Sequence, residues 1–256
     1  MSEVILEAID VCKNFGGLQA VRDMSLQVRQ GSIHALIGPN GAGKSTFFNT
    51  LSGYYLPDSG QVKFLGEDIT TEVTWKRIRR GMSRTFQTPS IFPELSVEEN
   101  LLIGVQAKQN LAFEFRVPPP NQRKKLESRV EELLGFVNLT RYKDRPVAEL
   151  SHGSQRLCEI AMSLTTEPIL VLLDEPMAGL AEAETSRVIN VVRDLRDRLG
   201  LTVLFVEHNM RVVLNVAEII TVLDRGRKLA EGPPAKIAAN EEVREAYLGK
   251  EIIAHV

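Results

Sequence analysis

Gly38-Pro39-Asn40-Gly41-Ala42-Gly43-Lys44-Ser45 fills every position of the pattern G-x-x-x-x-G-K-[ST]. Each part has a physical task. Glycines let backbone N–H groups converge on phosphate oxygens with no side chain in the way. The helix expected from Lys44 to about Ser52 turns the positive end of its dipole toward an anion. Lys44 is placed to reach the β- and γ-phosphates of a nucleotide, and the Ser45 hydroxyl to bind Mg²⁺. Thr46 completes the expected nucleotide-binding stretch. The cradle alone does not choose between kinases, GTPases, motors and transporters. An apolar run, Ile33 to Ile37, precedes the cradle and reads as a buried strand. Strand, cradle and helix in that order begin an α/β nucleotide-binding core.

Outward from the cradle the alternation continues. Ile169 to Leu173 and Thr202 to Val206 are further strands rich in Val, Ile and Leu. Ser186 to Leu199 reads as a helix whose Val188, Val192, Leu195 and Leu199 face the sheet. Upstream, Val4 to Val28 reads as antiparallel strands turning at Gly16-Gly17. From about residue 92 to 166 the pattern is mostly helical. Ser96-Val97-Glu98-Glu99 is a capping box opening a helix through Leu102. Pro118-Pro119-Pro120 breaks the chain in a loop, and a charged helix follows from about Asn121 to Val137. A short helix spans Glu241 to Leu248.

Composition narrows the classes. The 256 residues carry 31 Lys and Arg against 33 Asp and Glu, a net charge of −2. That balance offers no general attraction to nucleic acid, and none is expected as a partner. Lys76, Arg77, Arg79 and Arg80 read as a solvated helix face, with docking near lipid or a partner as the alternative. Cys12 and Cys158 make no disulfide framework, and with His34, His152, His208 and His255 they make no metal-ligand set. His34, in a core strand, is expected to be hydrogen-bonded there. The start, MSEVILEAID, lacks the marks of a signal peptide. No apolar run approaches the ~20 residues that span a bilayer. The chain is expected to be soluble alone, and any membrane role needs a spanning partner.

Ile169-Leu170-Val171-Leu172-Leu173-Asp174-Glu175 is an apolar strand ending in two acids. Such a strand end lies beside the phosphate loop in this kind of sheet. Asp174 is placed to hold Mg²⁺, and Glu175 to act as general base toward the attacking water. The plainer alternative is that Glu175 caps the segment that follows.

Leu150-Ser151-His152-Gly153-Ser154-Gln155-Arg156, ahead of a helix, resembles the LSGGQ signature of the ABC ATPases. Other marks of that family follow in order. Phe15 falls where an aromatic stacks on adenine, and Gln87 where the glutamine loop binds Mg²⁺. Ala178-Gly179-Leu180-Ala181 falls where the dimer-contact loop belongs, and His208 at the switch histidine. The resemblance implies a P-loop NTPase core of ABC type, with an N-terminal antiparallel β subdomain. A helical subdomain, about 92–166, would be inserted in a single ATP-binding domain spanning 1–256. It further implies that Ser151, Gly153 and Ser154 contact the γ-phosphate held by an opposing subunit. His152 replaces the first signature glycine and Ser154 its glutamine. Ala181 stands where Asp or Asn is usual and lacks that side chain's hydrogen bond across the dimer.

Lys13-Asn14-Phe15-Gly16-Gly17-Leu18, Ser83-Arg84-Thr85-Phe86-Gln87, Glu207-His208-Asn209-Met210 and Ala246-Tyr247-Leu248-Gly249 resemble the branched-chain amino acid importer branch. That branch implies membrane-spanning permease subunits, a second ATPase chain, a solute receptor acting indirectly, and a place on the cytoplasmic face of the membrane. Lipid-extracting ABC ATPases and non-transport types such as iron–sulfur cluster assembly ATPases are the competing readings.

Overall fold

The alternating apolar residues after Glu3 form a hairpin of β1 (Val4–Phe15) and β2 (Leu18–Arg29), turning at Gly16-Gly17 as expected. The computed structural model describes residues 3–85, 91–108 and 120–248. β3 (Ile33–Ile37) enters the glycine cradle and α1 (Lys44–Leu51) leaves it. β4 (Ser59–Phe64) and β5 (Glu67–Asp68) return to the hairpin, giving an antiparallel sheet ordered β2-β1-β4-β5. After α2 (Thr74–Arg79) and β6 (Met82–Arg84) come three helices, α3 (Val97–Lys108), α4 (Pro120–Phe136) and α5 (His152–Leu164). The chain continues through β7 (Leu170–Asp174), α6 (Glu182–Asp197), β8 (Thr202–Val206) and α7 (Met210–Val216). It closes with β9 (Ile219–Asp224), β10 (Arg227–Gly232), α8 (Pro234–Ala238) and α9 (Glu241–Leu248).

The second sheet runs β10-β9-β3-β8-β7-β6, parallel except at the β9–β10 hairpin. Period-two alternation divides its residues between two cores. Leu36, Leu170, Leu172, Leu204 and Val206 face α1 and the antiparallel sheet. Ile33, Ala35, Val171, Leu173, Val203 and Phe205 face the helices on the other side. Burial on both faces is why these strands carry unbroken apolar runs. Register sets the functional edge: Leu36 and Asp174 both pair with Val206. The ends of β3, β8 and β7 therefore lie level.

Several boundaries differ from the sequence reading. α3 runs on to Lys108, because Val97, Leu101 and Val105 keep an apolar stripe buried at four-residue spacing. α6 begins at Glu182, where Glu182 and Glu184 suit a helix N-terminus without carrying an apolar signal. Leu199 lies beyond α6 and is exposed, so it does not face the sheet. Pro118 and Pro119 lie outside the described residues, and Pro120 takes the first position of α4. Arg77 is the largest correction. It belongs to no solvated face: its guanidinium is fully buried among backbone carbonyls. His34 is buried and bonded to the Thr221 hydroxyl at 2.8 Å, as expected. Burial pushes its pKa down to about 4 against the raising effect of Glu231.

Candidate active site

The cradle rests on backbone. Gly43 has φ 96, and a Cβ there would lie 2.3 Å from the Ala20 carbonyl oxygen, so no other residue fits. The Gly226 N–H donates to Ala42 O at 2.9 Å and the Arg22 N–H to Gly226 O at 2.7 Å. These bonds tie the loop to the hairpin and to the β9–β10 turn. Lys44 donates to the carbonyls of Gly38 at 2.7 Å and Pro39 at 2.9 Å. Burial holds its pKa below the usual amine range, opposed by the charge of Glu175. A cleft of about 580 Å³ opens here, lined by Asn40, Gly41, Lys44, Ser45, Thr46 and Glu175 among others. Phe15 stands outside that lining, opposite Leu18, which does line it. The Phe15 ring meets Tyr55 edge-on at 5.2 Å, and Tyr55 meets Tyr54 at 5.1 Å.

Asp174 ends β7 beside Arg84, which ends β6. Their side chains pair at 3.1 Å and both are almost fully buried. Burial pushes the Asp174 carboxyl pKa up, and Arg84 opposes that. Arg84 also donates to the Ser52 hydroxyl at 2.5 Å and lies 5.1 Å over the Phe48 ring, which fixes it against α1. Gln87 lies outside the described residues.

Glu175 turns the chain out of the sheet with φ 45, a conformation L-residues seldom adopt. What holds it is visible. Its N–H donates to Val206 O at 3.1 Å. Arg156 of α5 donates to Asp174 O and Glu175 O, each at 2.6 Å, and to Pro176 O at 3.2 Å. His208 follows β8 by two residues, and its Nδ1 is 3.9 Å from Glu175 Oε1. Between these groups sits Glu207, 1% exposed, accepting from the N–H groups of Met177 at 2.8 Å and His208 at 3.2 Å. Burial pushes its carboxyl pKa up, against those two bonds. Lys44, Glu175 and His208 thus meet at one edge.

Ser151 caps α5, accepting from the Ser154 N–H at 3.4 Å. Ser151, Gly153 and Ser154 do not line the cradle cleft. Ser151 and Gly153 meet Glu184 of α6 instead, and Ser154 bonds Ser151. The Gly153 N–H donates to Glu184 Oε1 at 3.2 Å, and the Ser151 hydroxyl bonds the same carboxylate and holds its pKa below the usual range. His152 is exposed. Ala181 caps α6 with no side-chain bond.

Arg84, Arg156, Glu184 and Glu207 escaped the sequence reading. Arg84, Arg156 and Glu207 sit inside or beside stretches already singled out. Nothing local marked them, because each acts on a backbone or carboxylate brought near only by the fold.

The ABC transporter family model matches residues 21–178, and that for the branched-chain amino acid ATP-binding cassette transporter matches 227–253. The chain is 39% identical over 255 residues to the high-affinity branched-chain amino acid transport ATP-binding protein BraF of Pseudomonas aeruginosa, covering 98% of this chain and 100% of that one. It is 36% identical over 254 residues to LivG of Escherichia coli, described in the same words, with the same coverage. Of solved structures, the ADP conformation of MJ1267, an ATP-binding cassette of an ABC transporter, aligns at TM-score 0.85 and 34% identity, covering 97% of this chain and 100% of that one. Cradle, acid pair and the helix opening at Ser151 all fall within the first matched stretch, and the chain belongs to the ABC transporter family as one of its ATPases.

Proposed function

We propose that this chain powers import of branched-chain amino acids, or of small polar or acidic solutes of similar chemistry, as one of two ATPase chains. The observation that carries this reading is the match at 227–253, because it lies beyond the general ABC match at 21–178. Full-length likeness to BraF and LivG supports it. Among the described residues no helix is long and apolar enough to cross a membrane. In this reading permease subunits supply the spans, and the chain sits against them on the cytoplasmic face. A receptor delivers the solute to the permease.

In the proposed site, cradle N–H groups and Lys44 hold the phosphates, and Phe15 stacks on adenine from the rim of the cleft. Glu175 takes a proton from water as its oxygen attacks the γ-phosphorus. The bond to the β–γ bridging oxygen breaks, leaving ADP and phosphate. His208, 3.9 Å from Glu175, holds the same edge of the site. Mg²⁺ suits the donors: the Ser45 hydroxyl and Asp174 carboxylate are hard oxygens, and no group of three or more His, Cys, Asp or Glu among the described residues builds an all-protein cage. Gln87 would join them and link the core to the helices that receive the permease. Mg²⁺ would neutralise phosphate charge. Ser151, Gly153 and Ser154 of a second chain complete the site at the γ-phosphate, so ATP joins two chains. Glu184 fills that anion position within one chain and must leave it first.

Reconstitution with membrane-spanning partners tests the reading. ATP-dependent uptake of labelled leucine is expected, with Lys44→Ala abolishing it. Uptake that survives Lys44→Ala contradicts the proposal. Uptake of another solute in place of leucine removes the branched-chain assignment alone.

A further inference from the structure

The C-terminal helix α9 reaches the phosphate loop. The Gly38 N–H donates to the Tyr247 hydroxyl at 2.5 Å, across 209 residues of sequence. The Gly38 carbonyl in turn accepts from Lys44 Nζ at 2.7 Å. Both backbone groups of the first cradle residue are therefore tied, one to the phosphate-facing lysine and one to α9. Gly38 has no side chain to brace it, and a Cβ would lie 2.2 Å from Leu223 O. α9 is itself anchored: Asn240 Oδ1 accepts from the Val243 N–H at 3.0 Å, and Val243 and Tyr247, four residues apart, pack on the core. Burial, with the nearby charge of Glu207, pushes the phenol pKa up and keeps it a neutral hydroxyl. Glu207 is the carboxylate that holds Met177 and His208. Tyr247 thus stands where the phosphate loop and the His208 loop converge from behind.

We propose that Tyr247 is a positioning residue for nucleotide binding, through which the C-terminal helix sets the affinity of the phosphate loop. This rests on the reading of Gly38–Ser45 as the phosphate cradle. Without the hydroxyl, the Gly38 N–H is buried with no acceptor. The peptide then relaxes away from the geometry that presents Lys44, and ATP must restore that geometry on binding. Affinity falls by the fraction of loops left in the competent form.

The test is calorimetric titration of the full chain with ATP, on wild type, Tyr247→Phe, Lys44→Ala and the exposed-face control Glu245→Ala, alongside thermal melting without nucleotide. Tyr247→Phe is expected to raise Kd by about tenfold, the scale of one orphaned N–H. Glu245→Ala should match wild type and Lys44→Ala should bind far more weakly. If Tyr247→Phe binds ATP as wild type while Lys44→Ala does not, the cradle stands and this inference falls. The inference falls equally if Tyr247→Phe lowers the melting temperature without moving Kd. If neither variant changes Kd, the cradle assignment fails and the inference fails with it.

Discussion

One guanidinium closes the end of the helix that leaves the cradle. The last four carbonyls of a helix have no partner within it. Arg77 donates to two of those of α1, Thr50 O at 2.9 Å and Leu51 O at 2.7 Å, and to Ile69 O at 2.9 Å and Glu72 O at 2.8 Å. Its positive charge also suits the C-terminal end of the helix dipole. Burial pushes its pKa down to about 10, so it stays charged at neutral pH. Arg77→Met should cost about 3 kcal/mol or more, since several buried carbonyls lose a charged donor at once. Thermal unfolding should fall by roughly 6–12 °C for a chain this size. Arg77→Lys should recover only part, because an ammonium lacks the fork that spans these acceptors. A melting point for Arg77→Met within error of wild type would remove this role. The sequence could not single it out: Lys76 and Arg79 lie beside it and rest over the exposed Trp75 ring. What distinguishes Arg77 is a set of carbonyls up to 27 residues away.

At the scale of elements, local chemistry was often sufficient. The box at α3 forms as read: the Ser96 N–H donates to Glu99 Oε2 at 2.8 Å and the Glu99 N–H to Ser96 Oγ at 3.1 Å. The opening of α5 at Ser151 was equally legible. Its occupant was not, since Glu184 lies 31 residues on and meets Gly153 only once α6 packs against α5. A carboxylate bonded to the first N–H groups of a helix competes with any phosphate sent there. Glu184→Ala removes the competitor. In a Glu175→Gln background it should lower, several-fold, the ATP concentration at which half the chains dimerise, read by sedimentation. An unchanged or higher concentration would mean that Glu184 shapes the signature helix and does not compete with phosphate.

Across the whole molecule, the apolar strands β3, β7 and β8 could be found, yet the equally apolar β9 was not read and the order of the strands could not be found. β7 and β3 are distant in sequence and never pair; β8, later than both, lies between them and levels Asp174 with Leu36. That register brings the cradle, Glu175 and His208 to one edge, as the rule for parallel sheets predicts. It leaves Ser151 and Gly153 outside the cleft. In the proposed mechanism a second chain supplies them. Sedimentation of purified Glu175→Gln with ATP tests this directly, because the variant should bind ATP but hydrolyse it at least ~10²-fold more slowly. The expected particle has twice the 28.5 kDa chain mass and reverts to a single chain when Ser151→Arg is added. A double variant that still dimerises with ATP would contradict the two-chain site.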